Sequence, residues 1–171
     1  MKKAIVITIL IFGSWHCFSQ DFVNLNFENA IITPDPSSYI YPDAVYASNA
    51  IPGWTATGFL GPKDVLYDSA SLGSTSVSIL DADGFPAALD GEFSVYLYGG
   101  GTATAASISQ TGIVPMSAES ILFEAQNGGY PGGILVVSLG GQNLSYFALS
   151  NGPNYTLYGA DISAFTGQRD N

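Results

Sequence analysis

The chain is poor in cysteine, histidine and basic residues, and most of the few it has lie in the first twenty positions. His16 and Cys17 are the only residues of their kinds, and Lys2 and Lys3 are two of the four basic residues. Without this segment the protein has no imidazole and no thiol. That excludes a histidine-assisted serine nucleophile, a cysteine nucleophile and a disulfide framework. Stability must then come from the hydrophobic core.

The shortage of positive charge limits the partners. Beyond residue 20 only Lys63 and Arg169 are basic, against 14 acidic residues, which is a formal charge of −12. Such a surface repels the phosphate backbone of nucleic acids, which is bound by clustered lysine and arginine, and it repels anionic lipids. Nucleic acid is therefore excluded as a partner. Calcium remains a candidate, because carboxylates and carbonyls are its preferred ligands.

The first twenty residues are typical of a secretory signal peptide. Lys2 and Lys3 precede a nine-residue run from Ala4 to Phe12 that is apolar except for Thr8, and a segment rich in small residues follows. A bilayer span needs about 20 apolar residues, so this run is too short to be one. We predict that residues 1–20 are removed on export and that residues 21–171 form a single domain without a membrane span.

No segment after residue 20 has a helical period. Short alternating runs are separated by glycine, proline, asparagine and aspartate, and the chain contains 20 Gly and 9 Pro. Gly140-Gly141 is a typical two-residue hairpin turn, and the proline-rich segment Thr33–Pro42 is predicted to be a loop across one end of the fold. The pattern predicts an all-β fold, a β-sandwich of jelly-roll type. The predicted strands are 22–28, 53–58, 65–68, 76–80, 93–98, 103–110, 121–126, 133–139 and 143–149.

Four short segments carry a resemblance to a known family. In chain order they are Asn24–Glu28, Ile51–Thr55, Ile108–Thr111 and Asp161–Gln168. Together they resemble secreted bacterial jelly-roll domains of the galactose-binding-like type, and most closely the exported proteins that end in a PEP-CTERM sorting tail. The resemblance covers nearly all of residues 21–171. It implies a secreted or periplasmic, non-catalytic module that binds carbohydrate or belongs to the cell envelope or extracellular matrix.

The resemblance also implies a strand that this chain lacks. In such domains the segment matching Asp161–Gln168 leads into a last strand that pairs near the first, and a sorting tail follows. Here only Arg169-Asp170-Asn171 follow. We therefore expect a domain that lacks its last strand: either the chain is C-terminally truncated, or this member leaves a sheet edge open.

Two groups of carboxylates are candidate calcium ligands. The resemblance implies that Glu28, at the end of the first predicted strand, helps to hold a structural calcium; the alternative is a hydrogen-bonded or solvated glutamate. Asp81-Ala82-Asp83-Gly84 begins like an EF-hand loop, but Phe85 and Pro86 stand where that loop needs an oxygen ligand and a glycine. A looser site and a plain acidic turn both remain open for Asp81, Asp83, Asp90 and Glu92.

Aromatic residues in predicted loops are the candidate ligand contacts, because an exposed ring can stack on the face of a sugar. The alternative for each is packing onto the sandwich. Trp54, which follows Pro52-Gly53, is expected in the core. The candidate ligand-binding residues are Phe85, Tyr130, Tyr39 and Tyr41.

The sequence does not predict an enzyme. A glycoside hydrolase needs two carboxylates about 5 to 10 Å apart across the sugar, and no such pair stands out among the scattered acidic residues. A Gly-x-Ser-x-Gly nucleophile elbow is also missing. The favoured function is a binding module for glycan or matrix. A structural or adhesive protein that associates through an open sheet edge is the alternative, and a glycoside hydrolase is the lesser one.

Overall fold

The protein is described here by a computed structural model that covers residues 2–5, 21–69, 73–84, 86–100, 105–127, 133–167 and 169–170. Over these residues the fold is all-β, as predicted. Helix is limited to α1 (Ala47–Ala50) and one 3-10 turn (Ser163–Phe165). The strands are β1 Lys2–Ile5, β2 Ala44–Tyr46, β3 Thr55–Thr57, β4 Asp64–Tyr67, β5 Ser76–Asp81, β6 Phe93–Tyr98, β7 Ser107–Ser109, β8 Gly112–Ile113, β9 Ser120–Asn127, β10 Ser138–Leu139, β11 Gln142–Asn143, β12 Tyr146–Asn151, β13 Thr156–Asp161 and β14 Arg169–Asp170.

Eight strands form one large sheet in the order β12-β13-β9-β1-β6-β5-β4-β2. Every neighbouring pair is antiparallel except β4 and β5, which run parallel. Three two-stranded sheets accompany it, β3–β7, β8–β14 and β10–β11. The arrangement is sandwich-like, with one large layer and a second layer made of short pieces.

The main core lies on one face of the large sheet. Alternate residues of a strand point to opposite faces, so β5 and β6 each give one set of side chains to this core. Phe27, Ile51 and Ala56 cover these side chains from the other layer. A second cluster joins Val114, Ala118, Leu139, Ile162 and Phe165. The sheet residues of the main core are Val45, Val65, Val77, Ile79, Val95 and Leu97.

The predicted signal peptide contributes a strand to the large sheet. β1 lies between β6 and β9 and is antiparallel to both, with Ile5 opposite Val95 on one side and Ala125 on the other. The sheet therefore contains residues that the sequence predicts to be removed. Their removal on export stays a prediction.

The first predicted strand, Phe22–Glu28, is wrong. This segment is a series of turns in which Asn24 and Phe27 have positive φ angles of 49° and 64°. Asn24, placed by the alternation on the polar face, is buried, and its side-chain oxygen accepts the amide of Asn29 at 3.0 Å. An asparagine that bonds to nearby backbone in this way favours a turn over a strand.

The C-terminal half differs from the sequence prediction in its boundaries. Gly140 and Gly141 form the predicted hairpin turn, with φ angles of 57° and 73°, but the strands beside it are only two residues long. Most of the strand predicted over 133–139 is therefore absent. Residues 156–161, which lie in none of the predicted strands, form β13 inside the large sheet.

Trp54 supports the core from its margin. It is half-buried just before β3, and its ring centroid lies 5.4 Å from that of Phe27. The indole Nε1–H donates to the carbonyl of Asn24 at 3.0 Å. Trp54 therefore packs against the core, but it is half-buried at the margin and is not one of the enclosed core residues. Within the described part of the chain, no helix is long and apolar enough to cross a bilayer.

Candidate ligand-binding loop

The proline-rich loop between Pro34 and β2 is built from consecutive turns. The amide of Ser38 donates to the carbonyl of Asp35 at 3.1 Å, and that of Tyr41 to the carbonyl of Ser38 at 3.0 Å. The amide of Ala44 then donates to the carbonyl of Tyr41 at 2.9 Å. The amide of Asp35 closes the base of the loop on the carbonyl of Ala44 at 3.0 Å. These bonds hold residues 35–44 in one conformation.

The side chain of Asp35 anchors this loop from below. It is fully buried, and it accepts hydrogen bonds from the backbone amide of Ser37 at 2.9 Å and from the Ser37 hydroxyl at 2.7 Å. The ammonium group of Lys63 also donates a hydrogen bond to Asp35 Oδ2, at 2.5 Å. The hydrogen bond from Lys63 holds the pKa of Asp35 far below its usual value, and the bonds from Ser37 act in the same direction.

Lys63 links the loop to the edge of the large sheet. Its ammonium lies 3.7 Å from Asp64 Oδ2 and 5.5 Å from the centre of the Tyr46 ring, a cation–π distance. The bond to Asp35 raises the pKa of Lys63, so the charge is kept at neutral pH. Burial raises the pKa of Asp64, and Asp64 Oδ1 has no hydrogen-bond partner among the described residues. Lys63 thus lies close to two carboxylates, Asp35 and Asp64, and to the ring of Tyr46.

Above this polar base the loop presents its apolar side chains to solvent. Tyr39 is 86 % exposed and Ile40 is 68 % exposed. Tyr41 is 37 % exposed because its ring meets the edge of Phe59 at 4.9 Å between centroids. The backbone is fixed while at least one ring is free, which is the arrangement that a stacking contact with a ligand needs. Hydroxyl groups of Ser37 and Ser38 stand in the same turns.

Two of the four predicted aromatic contacts therefore lie in one loop, two positions apart. Tyr39 and Tyr41 are exposed to different degrees, and only Tyr41 makes a ring contact that favours the packing alternative. Phe85 and Tyr130 lie outside the described residues.

The predicted calcium ligands are held mainly by backbone amides. Glu28 accepts the amide of Glu92 with both carboxylate oxygens, at 3.1 and 3.2 Å, and the amide of Phe93 at 3.3 Å. Glu28 therefore bonds to the turn that precedes β6, which is the alternative given for it above. Asp90 and Glu92 are exposed in that same turn.

Asp81 and Asp83 lie at the other end of the same loop. The amide of Asp83 donates to Asp81 Oδ1 at 3.0 Å, and the hydroxyl of Tyr67 donates to Asp81 Oδ2. Over the described residues, no group of three or more aspartate, glutamate, histidine or cysteine side chains is placed to hold a metal ion. A structural calcium remains a prediction without a ligand set.

Sequence reasoning missed two polar arrangements. Asp68 has a positive φ of 45°, and its Oδ1 accepts the amide of Asp81 at 3.0 Å. Burial raises the pKa of Asp68, while the Tyr67 pKa is raised by its bond to Asp81. The contact between Asp35 and Lys63 was also missed, since 28 positions separate them in the chain. No local pattern in the sequence signals either arrangement.

Comparison with protein-family models, curated proteins and solved structures finds no match to this chain.

Proposed function

We propose that residues 21–171 form an exported, non-catalytic module of a bacterial cell that binds carbohydrate through the loop 35–43. The observation that carries this proposal is the 86 % exposure of Tyr39 on a loop whose backbone is fixed by its own hydrogen bonds. Tyr39 stands beside exposed Ile40 and Tyr41, so the loop presents a run of exposed apolar side chains, and the flat face of a sugar ring can stack on such a ring. The jelly-roll arrangement of the galactose-binding-like type is part of this proposal.

Charge and hydrogen bonding favour a neutral ligand over an anionic one. The surface carries many more carboxylates than basic groups, and Lys63 is already bound to Asp35. A polyanion would meet repulsion with no free cation in the loop to offset it. A neutral or amino sugar instead offers a stacking face to Tyr39 and hydroxyl groups to Ser38, since the Ser37 hydroxyl already bonds to Asp35 and Lys63.

A glycan array, probed with and without calcium, tests the proposal. For the best-binding oligosaccharide, Tyr39→Ala should weaken the affinity at least about tenfold, or about 1.4 kcal/mol. Its melting temperature should stay at the parent value, because the ring is exposed. Phe147→Ala is the matched control, since Phe147 is an aromatic residue that is 62 % exposed on β12. Equal binding by all three proteins would reject the loop as the site.

A second function is favoured by a separate observation. β12 ends the large sheet, and Phe147 and Leu149 on it are 62 % and 49 % exposed. An exposed edge strand with apolar side chains is a surface for association with another chain. The alternative proposal is therefore a structural or adhesive protein that associates through β12 and has no small ligand. Sedimentation velocity of the parent and of Phe147→Lys separates the two proposals. The alternative predicts that the parent associates and that the variant associates less.

A further inference from the structure

The position of β1 in the large sheet has a consequence for the exported protein. β6 and β9 are both antiparallel to β1, so they run parallel to each other, and in the sheet order each pairs with β1 and not with the other. Lys2–Ile5 pair with Val95–Tyr98, and Lys3–Ile5 pair with Ala125–Asn127. β1 therefore joins the β6 half of the sheet to the β9 half.

Removal of the predicted leader, residues 1–20, would leave a gap one strand wide. Strands pair at about 4.8 Å, so β6 and β9 would stand about twice that distance apart, each with one row of unpaired amides and carbonyls. The strands beside the gap are buried ones. Val95 is 0 % exposed and Ala125 is 6 % exposed. An edge of this kind is a template for another extended segment.

A polar group next to the gap indicates what the segment should carry. A strand that kept the register of β1 and continued by one residue would place that residue opposite Ser94 on β6 and Glu124 on β9. The Oε2 atom of Glu124 is buried and has no hydrogen-bond partner among the described residues. Burial raises the pKa of Glu124 and the negative charge of Asp90 adds to the effect, while a hydrogen bond between the carboxyl group and Tyr155 acts in the opposite direction. A basic side chain at that position would pair with this carboxylate.

We propose that the exported chain accepts an extended segment of another polypeptide between β6 and β9, antiparallel to both, with a basic residue opposite Glu124. The occupant is a strand of a partner protein, and this strand carries a net positive charge, because residues 21–171 carry a formal charge of −12. Its strand has an apolar residue opposite Val95, where β1 has Ile5, and a small residue opposite Tyr96, where β1 has Ala4. The leader occupies the site in the precursor and its removal opens it. This proposal is independent of the carbohydrate loop.

The test uses the protein exported by an expressing bacterium and fluorescently labelled hexapeptides. The first peptide is Lys-Lys-Ala-Ile-Val-Ile, which is residues 2–7 of the chain. The second carries Val6→Lys, to meet Glu124, and the third carries Ile5→Pro, to remove a ladder donor. We expect the Val6→Lys peptide to bind at least about tenfold more tightly than the first. The Ile5→Pro peptide should not bind.

Two protein variants make the test specific. In Glu124→Gln the advantage of the Val6→Lys peptide should vanish, while Glu119→Gln, an equal change of charge at an exposed position, should leave the advantage in place. Four results would each overturn the proposal: an exported protein that retains residues 2–5, no binding by any peptide, equal binding by the proline peptide, or a dimer in which a second copy fills the gap. N-terminal sequencing and sedimentation report the first and the last.

Discussion

The two edges of the large sheet are protected to very different degrees. At one edge, β2 is three residues long, and the chain before it covers its outer side: Pro34 bridges to Val45 and the amide of Tyr46 donates to the carbonyl of Thr33 at 3.0 Å. At the other edge, β12 is six residues long and five of them are exposed. A short strand covered by a proline-containing segment is a usual way to block pairing with other chains.

The difference suggests a division of roles between the edges. The covered edge carries the turns of residues 35–44 and the ion pair of Asp35 with Lys63, so it can hold a ring in place for a ligand. The bare edge has a bulge between Ala148 and Ser150, which disturbs the ladder but does not cover it. The proposed ligand site therefore lies at the covered edge, and the surface used by the alternative proposal, association, lies at the bare one.

The largest contrast should appear in stability. Ile51, behind β2, is 0 % exposed in the main core, and Ile51→Ala should lower the free energy of unfolding by about 2–5 kcal/mol. Phe147→Ala on β12 should change it by less than about 0.5 kcal/mol, because the ring is already in water. Urea denaturation measures both. Similar costs for the two variants would mean that the bare edge is covered in solution.

Substitutions of Trp54 should lower the free energy of unfolding by an intermediate amount. Two variants separate the part due to packing from the part due to hydrogen bonding. Trp54→Ala removes the contact with Phe27 and should cost about 3 kcal/mol, at the low end of the range for tryptophan because the side chain is only half-buried. Trp54→Phe keeps a ring but loses the bond to the Asn24 carbonyl and should cost about 1 kcal/mol. Urea denaturation of both variants measures the two costs. A Trp54→Ala variant as stable as the parent would place this ring outside the core.

Asp35→Asn should destabilise the covered edge in a pH-dependent way. The pKa of Asp35 is lowered on folding, chiefly by Lys63. Its contribution to the free energy of unfolding is therefore complete at pH values above the unfolded-state pKa of about 3.9, and it is lost as the pH falls through the lower folded-state pKa. The melting temperature of the variant should therefore lie below that of the parent by a constant amount from pH 7 to about 5, and the difference should shrink in stronger acid. Asp43→Asn, an exposed carboxylate of the same loop, is the control and should show no such difference.

The smallest effect on stability, and the clearest on association, is expected from Phe147→Lys. A charge on the bare edge discourages pairing with another chain, and the side chain is exposed, so folding should be almost unaffected. Sedimentation velocity at several concentrations should show less self-association than in the parent. A parent that is monomeric at every concentration would remove the adhesive alternative.

The sequence predicted the buried strands better than the turns. β6 was predicted with its observed ends, Phe93 and Tyr98, since its β-branched and aromatic residues favour a strand and it is flanked by turn residues. The prediction of the first strand was wrong. Its alternating polar and apolar residues fit a strand, but the Asn24 side chain bonds to the backbone of Asn29. Alternation does not reveal a positive φ at a residue such as Phe27.

For the candidate loop, the sequence indicated the residues but not what holds them. The prolines of Thr33–Pro42 predicted a loop, while exposure and packing both stayed open for its tyrosines; Tyr39 is exposed. The ion pair of Asp35 with Lys63 could not be predicted from the sequence, because it depends on the pairing of β2 with β4, which brings distant segments of the chain together. The same holds for β1, whose apolar run predicts a leader and not a place in the sheet.

Hydrogen exchange measured with and without the best-binding oligosaccharide tests the division of roles most directly. The account predicts that the ligand slows amide exchange in residues 35–46, the loop and the strand that follows it, and leaves residues 146–151 of β12 unchanged. Slowed exchange in β12 with no change in the loop would contradict it.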